Sequence, residues 1–256
     1  MQLGKKMSEK NARLRKVLLK HADNVKTNYR VEWLEQKPLA KQNANKFMLG
    51  AIIDYRIKAE LAWDNAKRLS EEILGNPASL WDCIKKSYSK DEWDAKWHEF
   101  RIHRFRAAHN RIWRIGDEIV KNYSGDARNI WQEKEPSTVL ANLESMRCGP
   151  EISRMIVGML ITYKHLDGLG DVKSDIHVCR VFGRIFDRDL GAVEARQLAR
   201  EIYPDNPWKL DIALYDIGKE YCLSDWCYCE NCPIGTDDNL CEDYRKYKAN
   251  QPNDSI

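Results

Sequence analysis

Hydrophobic positions recur at helical spacing along almost the whole chain. In residues 44–71 (ANKFMLGAIIDYRIKAELAWDNAKRLSE), Phe47, Leu49, Ile52 and Ile53, followed by Ile57, Leu61 and Trp63, suit two buried faces of helix. Gly50 lies within that run, where a missing side chain lets another helix approach closely. The same period predicts helices over 78–86, 90–99 and 103–122. A further helix starts at Pro136, a residue favoured in the first turn, and runs to Met146. After a break at RCGP comes a strongly apolar helix over 151–163, then the Gly-rich turn HLDGLGDV. Helices over 175–186, 192–203 and 207–220 follow. No alternating pattern of the kind left by a half-buried strand persists. The expected class is all-α, with a cysteine-rich loop as a small terminal module.

The 256 residues suffice for one large core or two modest ones. The N-terminus, MQLGKKMSEKNARLRK, is polar and basic, and no apolar run approaches bilayer length. The expectation is a cytoplasmic protein (nucleoid-associated in a prokaryote) with no membrane partner and thiols kept reduced. Net charge is only +3, but it is unevenly placed. Residues 1–46 carry twelve Lys or Arg against four acids, and RIHRFRAAHNRIWR places arginines at 101, 104, 106, 111 and 114. Either stretch suits a polyanion or a solvated helix face. The segment after Cys232 is acidic, with Asp237, Asp238, Glu242 and Asp243.

Four cysteines near the C-terminus, Cys222, Cys229, Cys232 and Cys241, follow the spacing C-x6-C-x2-C-x8-C. Soft thiolates at such spacing select zinc or an iron–sulfur centre over hard cations, and the loop suits either. Cys227, two residues before Cys229, is an alternative ligand.

Two further segments carry candidate chemistry. LESMRCGPEISRMIVGML, residues 143–160, reads as helix, tight turn, helix, and a helix start opening from such a turn offers free amides to a phosphate. Gly149 suits a strained turn position. In KSDIHVCRVFGRIF, residues 173–186, Asp175 stands at the expected N-cap of an apolar helix, with His177 and Arg180 on that helix. Either residue type is commonly structural in such a place.

Together the hairpin, the D-x-H-V-x-R-V segment, and LYDIGKEYC running into CYCENCP and LC resemble the endonuclease III-like branch of the helix-hairpin-helix DNA glycosylases. The resemblance spans roughly residues 45–244. It implies two helical lobes and a [4Fe–4S] cluster held by Cys222, Cys229, Cys232 and Cys241, with zinc as the alternative occupant. The implied division is a basic extension over 1–45 that adds helix to the cluster lobe, a helical barrel over 46–205, and a C-terminal cluster module over 206–256. Asp175 falls at the family's catalytic aspartate, which stabilises positive charge on the sugar or orients water. Arg147, Cys148, Gly149, Glu151 and Ser153 fall on the DNA-binding hairpin. The implied partner is duplex DNA carrying a lesion, bound by a monomer.

Several positions depart from the family's pattern. Glu151 stands where bifunctional members place the lysine that forms a Schiff base. The expected reaction is therefore hydrolysis that leaves an abasic site, with Lys164 and Lys173 as the only nearby substitutes. SMRCG replaces the usual L-P-G-V-G, putting Arg147 at the first glycine. Asp54 lies near a position where many relatives carry a gap-filling Gln, and Tyr55 beside it is a wedge candidate. Tyr163, His165, Asp167 and His177 are polar candidates for the base pocket; Trp63, Trp113 and Trp208 are candidates for stacking a base. A noncatalytic DNA- or damage-binding protein on the same fold is the alternative reading, and a zinc-bound helical interaction module a third.

Overall fold

The computed structural model describes residues 2–25, 31–235 and 240–249. Among them the chain is helical, with no strand and one isolated bridge between Cys222 and Cys227. It divides into two compact units, Met1–Lys26 with Leu169–Ile256, and Thr27–Gly168. None of the described helices is long and apolar enough to cross a membrane.

The chain begins with helix α1 (Gln2–Asn24). Its mean composition is polar, yet Asn11, Leu14 and Leu18 share one face and are buried. The central unit then opens with α2 (Lys41–Ile53), in which every residue from Ala44 to Ile53 is buried. Such a helix must satisfy its polar members internally. Asn45 Oδ1 accepts from Trp81 Nε1 and from the Ala127 amide, each at 3.0 Å, while its Nδ2 reaches the Pro77 and Ala78 carbonyls. Gly50 faces the Trp63 ring, and a Cβ there would stand 2.1 Å from it. The periodic run over 44–71 is not continuous. After α2, Asp54 adopts an inverse γ-turn conformation, with the Tyr55 amide donating to the Ile53 carbonyl at 2.6 Å. Arg56 follows in the left-handed region at φ +56°, and helix resumes as α3 (Ala59–Lys67). Leu61, read as buried, is half exposed on α3.

The unit continues through α4 (Leu80–Ser87), α5 (Lys90–Ala95), α6 (Trp97–Phe100) and α7 (Arg106–Tyr123). Residues 103–105, expected to open the helix over 103–122, belong instead to a loop over 101–105. Arg101 leaves α6 at φ +48°, and the buried His103 takes up loop contacts described below. The unit closes with α8 (Pro136–Ser145) and α9 (Pro150–Thr162).

In the other unit, α10 (Ile176–Phe186), α11 (Ala192–Ile202) and α12 (Asp211–Glu220) join α1 around one core. Val178, Val181, Phe182 and Ile185 supply the α10 side, and Leu14 and Leu18 the α1 side. The short α13 (Glu242–Ala249) is linked back to α1 by Lys10, whose Nζ donates to Glu242 at 3.0 Å.

Candidate functional site

In the central unit, α8 and α9 form the hairpin read from residues 143–160. Arg147 and Cys148 donate their amides to the Glu144 and Leu143 carbonyls, closing α8. Arg147 adopts φ +58° and Gly149 φ +92°. The arginine thus occupies a left-handed turn position where glycine carries less strain. Pro150 opens α9, and Ser153, fully buried, donates Oγ to the Gly149 carbonyl at 2.8 Å. Ser153 therefore braces the turn from inside, whereas Arg147 is exposed. Cys148 is buried, and burial pushes its thiol up to about 12, so it is neutral at ordinary pH. Glu151 lies in the first turn of α9.

Beside the hairpin the structure gathers an arginine–aromatic surface. Arg114 on α7 donates to the Arg147 carbonyl at 2.9 Å. One turn earlier, the Arg111 guanidinium lies 4.8 Å from the centre of the Tyr55 ring. The Tyr55 turn is fixed at two consecutive carbonyls: His103 Nε2 donates to Tyr55 O at 2.8 Å, and Arg104 Nη2 to Arg56 O at 2.7 Å. His103 Nδ1 accepts from the Phe105 amide at 2.9 Å. That pair of bonds needs the neutral imidazole, and burial holds the His103 pKa below its ordinary value. Phe105 meets Tyr55 edge to face at 6.2 Å. Neither His103 nor Arg111 is distinguishable in sequence, because both sit in a stretch whose arginines all look alike.

The polar pocket candidates of this unit have other engagements. Tyr163 Oη accepts from the Val31 amide at 3.1 Å, and His165 Nε2 donates to Leu34 O at 2.6 Å. Both anchor the segment that leads into α2. Asp54 caps α2, and Asp167 and Lys164 are exposed, the latter at φ +56°. Trp63 stacks on Phe47, and Trp113 lies beneath Lys85.

In the other unit, Asp175 is the N-cap of α10, as the sequence predicts. Its Oδ1 accepts from the His177 and Val178 amides at 2.9 and 3.2 Å. Its Oδ2 makes no hydrogen bond among the described residues and the residue is half-buried. The approach is held by a residue that sequence reasoning missed: buried Asp211 on α12 accepts the Lys173 amide at 2.6 Å. His177 packs edge-on against Tyr215, and Arg180 bridges from its Nδ1 to the Gly218 carbonyl. Trp208 is buried nearby, its amide donated to Gly170 O.

The cysteine loop does not form the expected centre. Among the described residues no group of three or more His, Cys, Asp or Glu side chains is placed to hold a metal ion, which overturns both the [4Fe–4S] cluster and its zinc alternative. The thiols have other partners. Cys222 Sγ accepts from Arg184 at 3.2 Å, Cys229 and Cys227 sulfurs meet at 2.8 Å, and Cys241 Sγ points to Arg184 O. All eight cysteines are free. A hydrogen bond with Cys227 and burial raise the Cys222 pKa, burial raises Cys229 and Cys232, and burial raises Cys241 to about 11. Asp237 and Asp238 of the expected acidic segment lie outside the described residues.

No family model and no curated protein matches the chain. Among solved structures it is similar to one described as a thermostable thymine-DNA glycosylase, with a TM-score of 0.66 at 14% identity. The match covers 94% of this chain and 99% of that one. The fold therefore resembles that of this glycosylase. The likeness read from the sequence to the iron–sulfur branch of the helix-hairpin-helix glycosylases falls with the cluster, leaving among the described residues an all-α fold of two helical units.

Proposed function

We propose that this chain is a DNA N-glycosylase that removes a damaged or mismatched base by hydrolysis and leaves an abasic site. The observation that carries this reading is Asp175. Two backbone amides fix one of its carboxylate oxygens, and the other oxygen is uncommitted. A carboxylate held in this way stabilises the positive charge that develops on a sugar as its base departs, and orients water toward C1′. The base must first leave the stack. The hairpin turn and the arginine–aromatic surface around Tyr55 suit a grip on the phosphate backbone, with Tyr55 as the residue that enters the gap. The glycosylase-like fold supports the same reaction class.

Glu151 on α9 has no amine with which to form an imine, so water is the nucleophile. Lys164 is exposed at the end of α9, and Lys173 has its amide tied to Asp211. Duplexes carrying deaminated, alkylated, oxidised and mismatched bases, each split between no treatment and hot alkali, test the proposal. Strand breaks that need alkali are expected on at least one lesion. Breaks without alkali would contradict hydrolysis and direct attention to Lys164 and Lys173. A protein that binds these duplexes tightly and yields no product would be a noncatalytic damage binder.

A further inference from the structure

We propose that Arg111 and Arg114 of α7 form an anion site that takes one phosphodiester group of a nucleic-acid strand; this rests on the DNA-directed reading above. Arg111 Nη1 is fully buried without a hydrogen-bond acceptor among the described residues. The groups that act on the guanidinium are Arg114, Tyr55 and Cys148, and none is a carboxylate. Burial, and then the charge of Arg114, hold the Arg111 pKa below the usual arginine range. Cys148 supplies no compensating charge, since its thiol is pushed up to about 12. A guanidinium with one nitrogen buried and unpaired, beside another cation and over an aromatic ring, costs the protein stability until an anion joins it.

Several other cations of the unit do have a carboxylate partner. Lys46 pairs with Glu71, Lys85 with Asp117, Arg106 with Asp94, Arg128 with Asp126 and Arg154 with Glu144. Among the described residues, Arg56, Arg104, Arg111, Arg114 and Arg147 have no such carboxylate partner. The five surround the Tyr55 turn and the hairpin turn, and are linked to them by Arg104 on Arg56 O and Arg114 on Arg147 O. A polymer of evenly repeated single negative charges fits that array, and a phosphodiester matches the planar arginine fork. Seating the phosphate on Arg111 takes the Tyr55 ring off the guanidinium, which frees the ring face for a base.

Arg111→Gln tests the site by opposing effects on stability and binding. The variant is expected to melt at or above the wild-type temperature, because an uncompensated charge is gone. Its affinity for an undamaged fluorescent 20-mer duplex should fall about eightfold at 0.1 M NaCl, with the log K against log [NaCl] slope shallower by about one. Arg111→Lys should keep the wild-type slope. A lower melting temperature with an unchanged slope would overturn the site and make Arg111 a structural prop for Tyr55. If wild-type protein binds no duplex, the DNA reading itself fails, and inorganic phosphate at constant ionic strength becomes the probe. Thermal protection of wild type but not of Arg111→Gln would then support the anion site, and equal behaviour would overturn it.

Discussion

Asp175 Oδ1 satisfies the first-turn amides of α10, the ordinary work of an N-cap, and the proposed reaction would use the carboxylate that those bonds hold in place. The position was legible in the sequence, because an aspartate directly before a strongly apolar helical run marks an N-cap. Arg111 and His103 were not. Their significance comes from which groups fold against them, and RIHRFRAAHNRIWR contains no local cue that singles them out. His103 leads to a pH prediction. Its folded pKa lies below the ordinary value of 6.5, so the unfolded chain takes up protons first as pH falls. Stability is unaffected above about pH 6.5 and declines as pH drops from there toward the folded pKa. His109, whose pKa burial also lowers, adds to the same trend. Melting temperatures between pH 7.5 and 5.5 should fall, and should fall less in His103→Gln. An equal fall in both proteins would remove His103 from the account.

At the level of elements, the hairpin turn depends on two residues with positive φ, Arg147 and Gly149. A Cβ on Gly149 meets nothing within 4 Å, so Gly149→Ala is a test of backbone strain free of steric collision. It should cost about 1–3 kcal/mol in chemical denaturation and weaken duplex binding further by disturbing the turn. Gly50 presents the opposite case, with ordinary helical backbone but the Trp63 ring 2.1 Å from a Cβ. Gly50→Ala is expected to destabilise by about 1–3 kcal/mol through overpacking, with no direct effect on the hairpin. Denaturant titration of the two variants separates these causes. The helices themselves were legible because their apolar positions repeat every three to four residues. The break at Asp54–Lys58 was not, since no Gly or Pro marks it and apolar residues continue on both sides. The cysteine spacing was equally visible in sequence, yet spacing says nothing about the side-chain partners that the folded loop gives those thiols.

Across the whole molecule, the central unit is one continuous stretch, while the other is assembled from both ends of the described chain. That assembly explains why a helix as polar as α1 still has a buried face. Leu14 and Leu18 complete a core whose remaining members lie more than 150 residues later in sequence. The fold shared with the thymine-DNA glycosylase structure extends over nearly the entire chain. The most direct measurement is single-turnover base release together with duplex affinity, for wild type and Asp175→Asn, on whichever lesion wild type processes best. Affinity within about twofold of wild type and a rate at least about a hundredfold lower are expected of the variant. Base release by Asp175→Asn at the wild-type rate would contradict the assignment of Asp175 and, with it, the proposed mechanism.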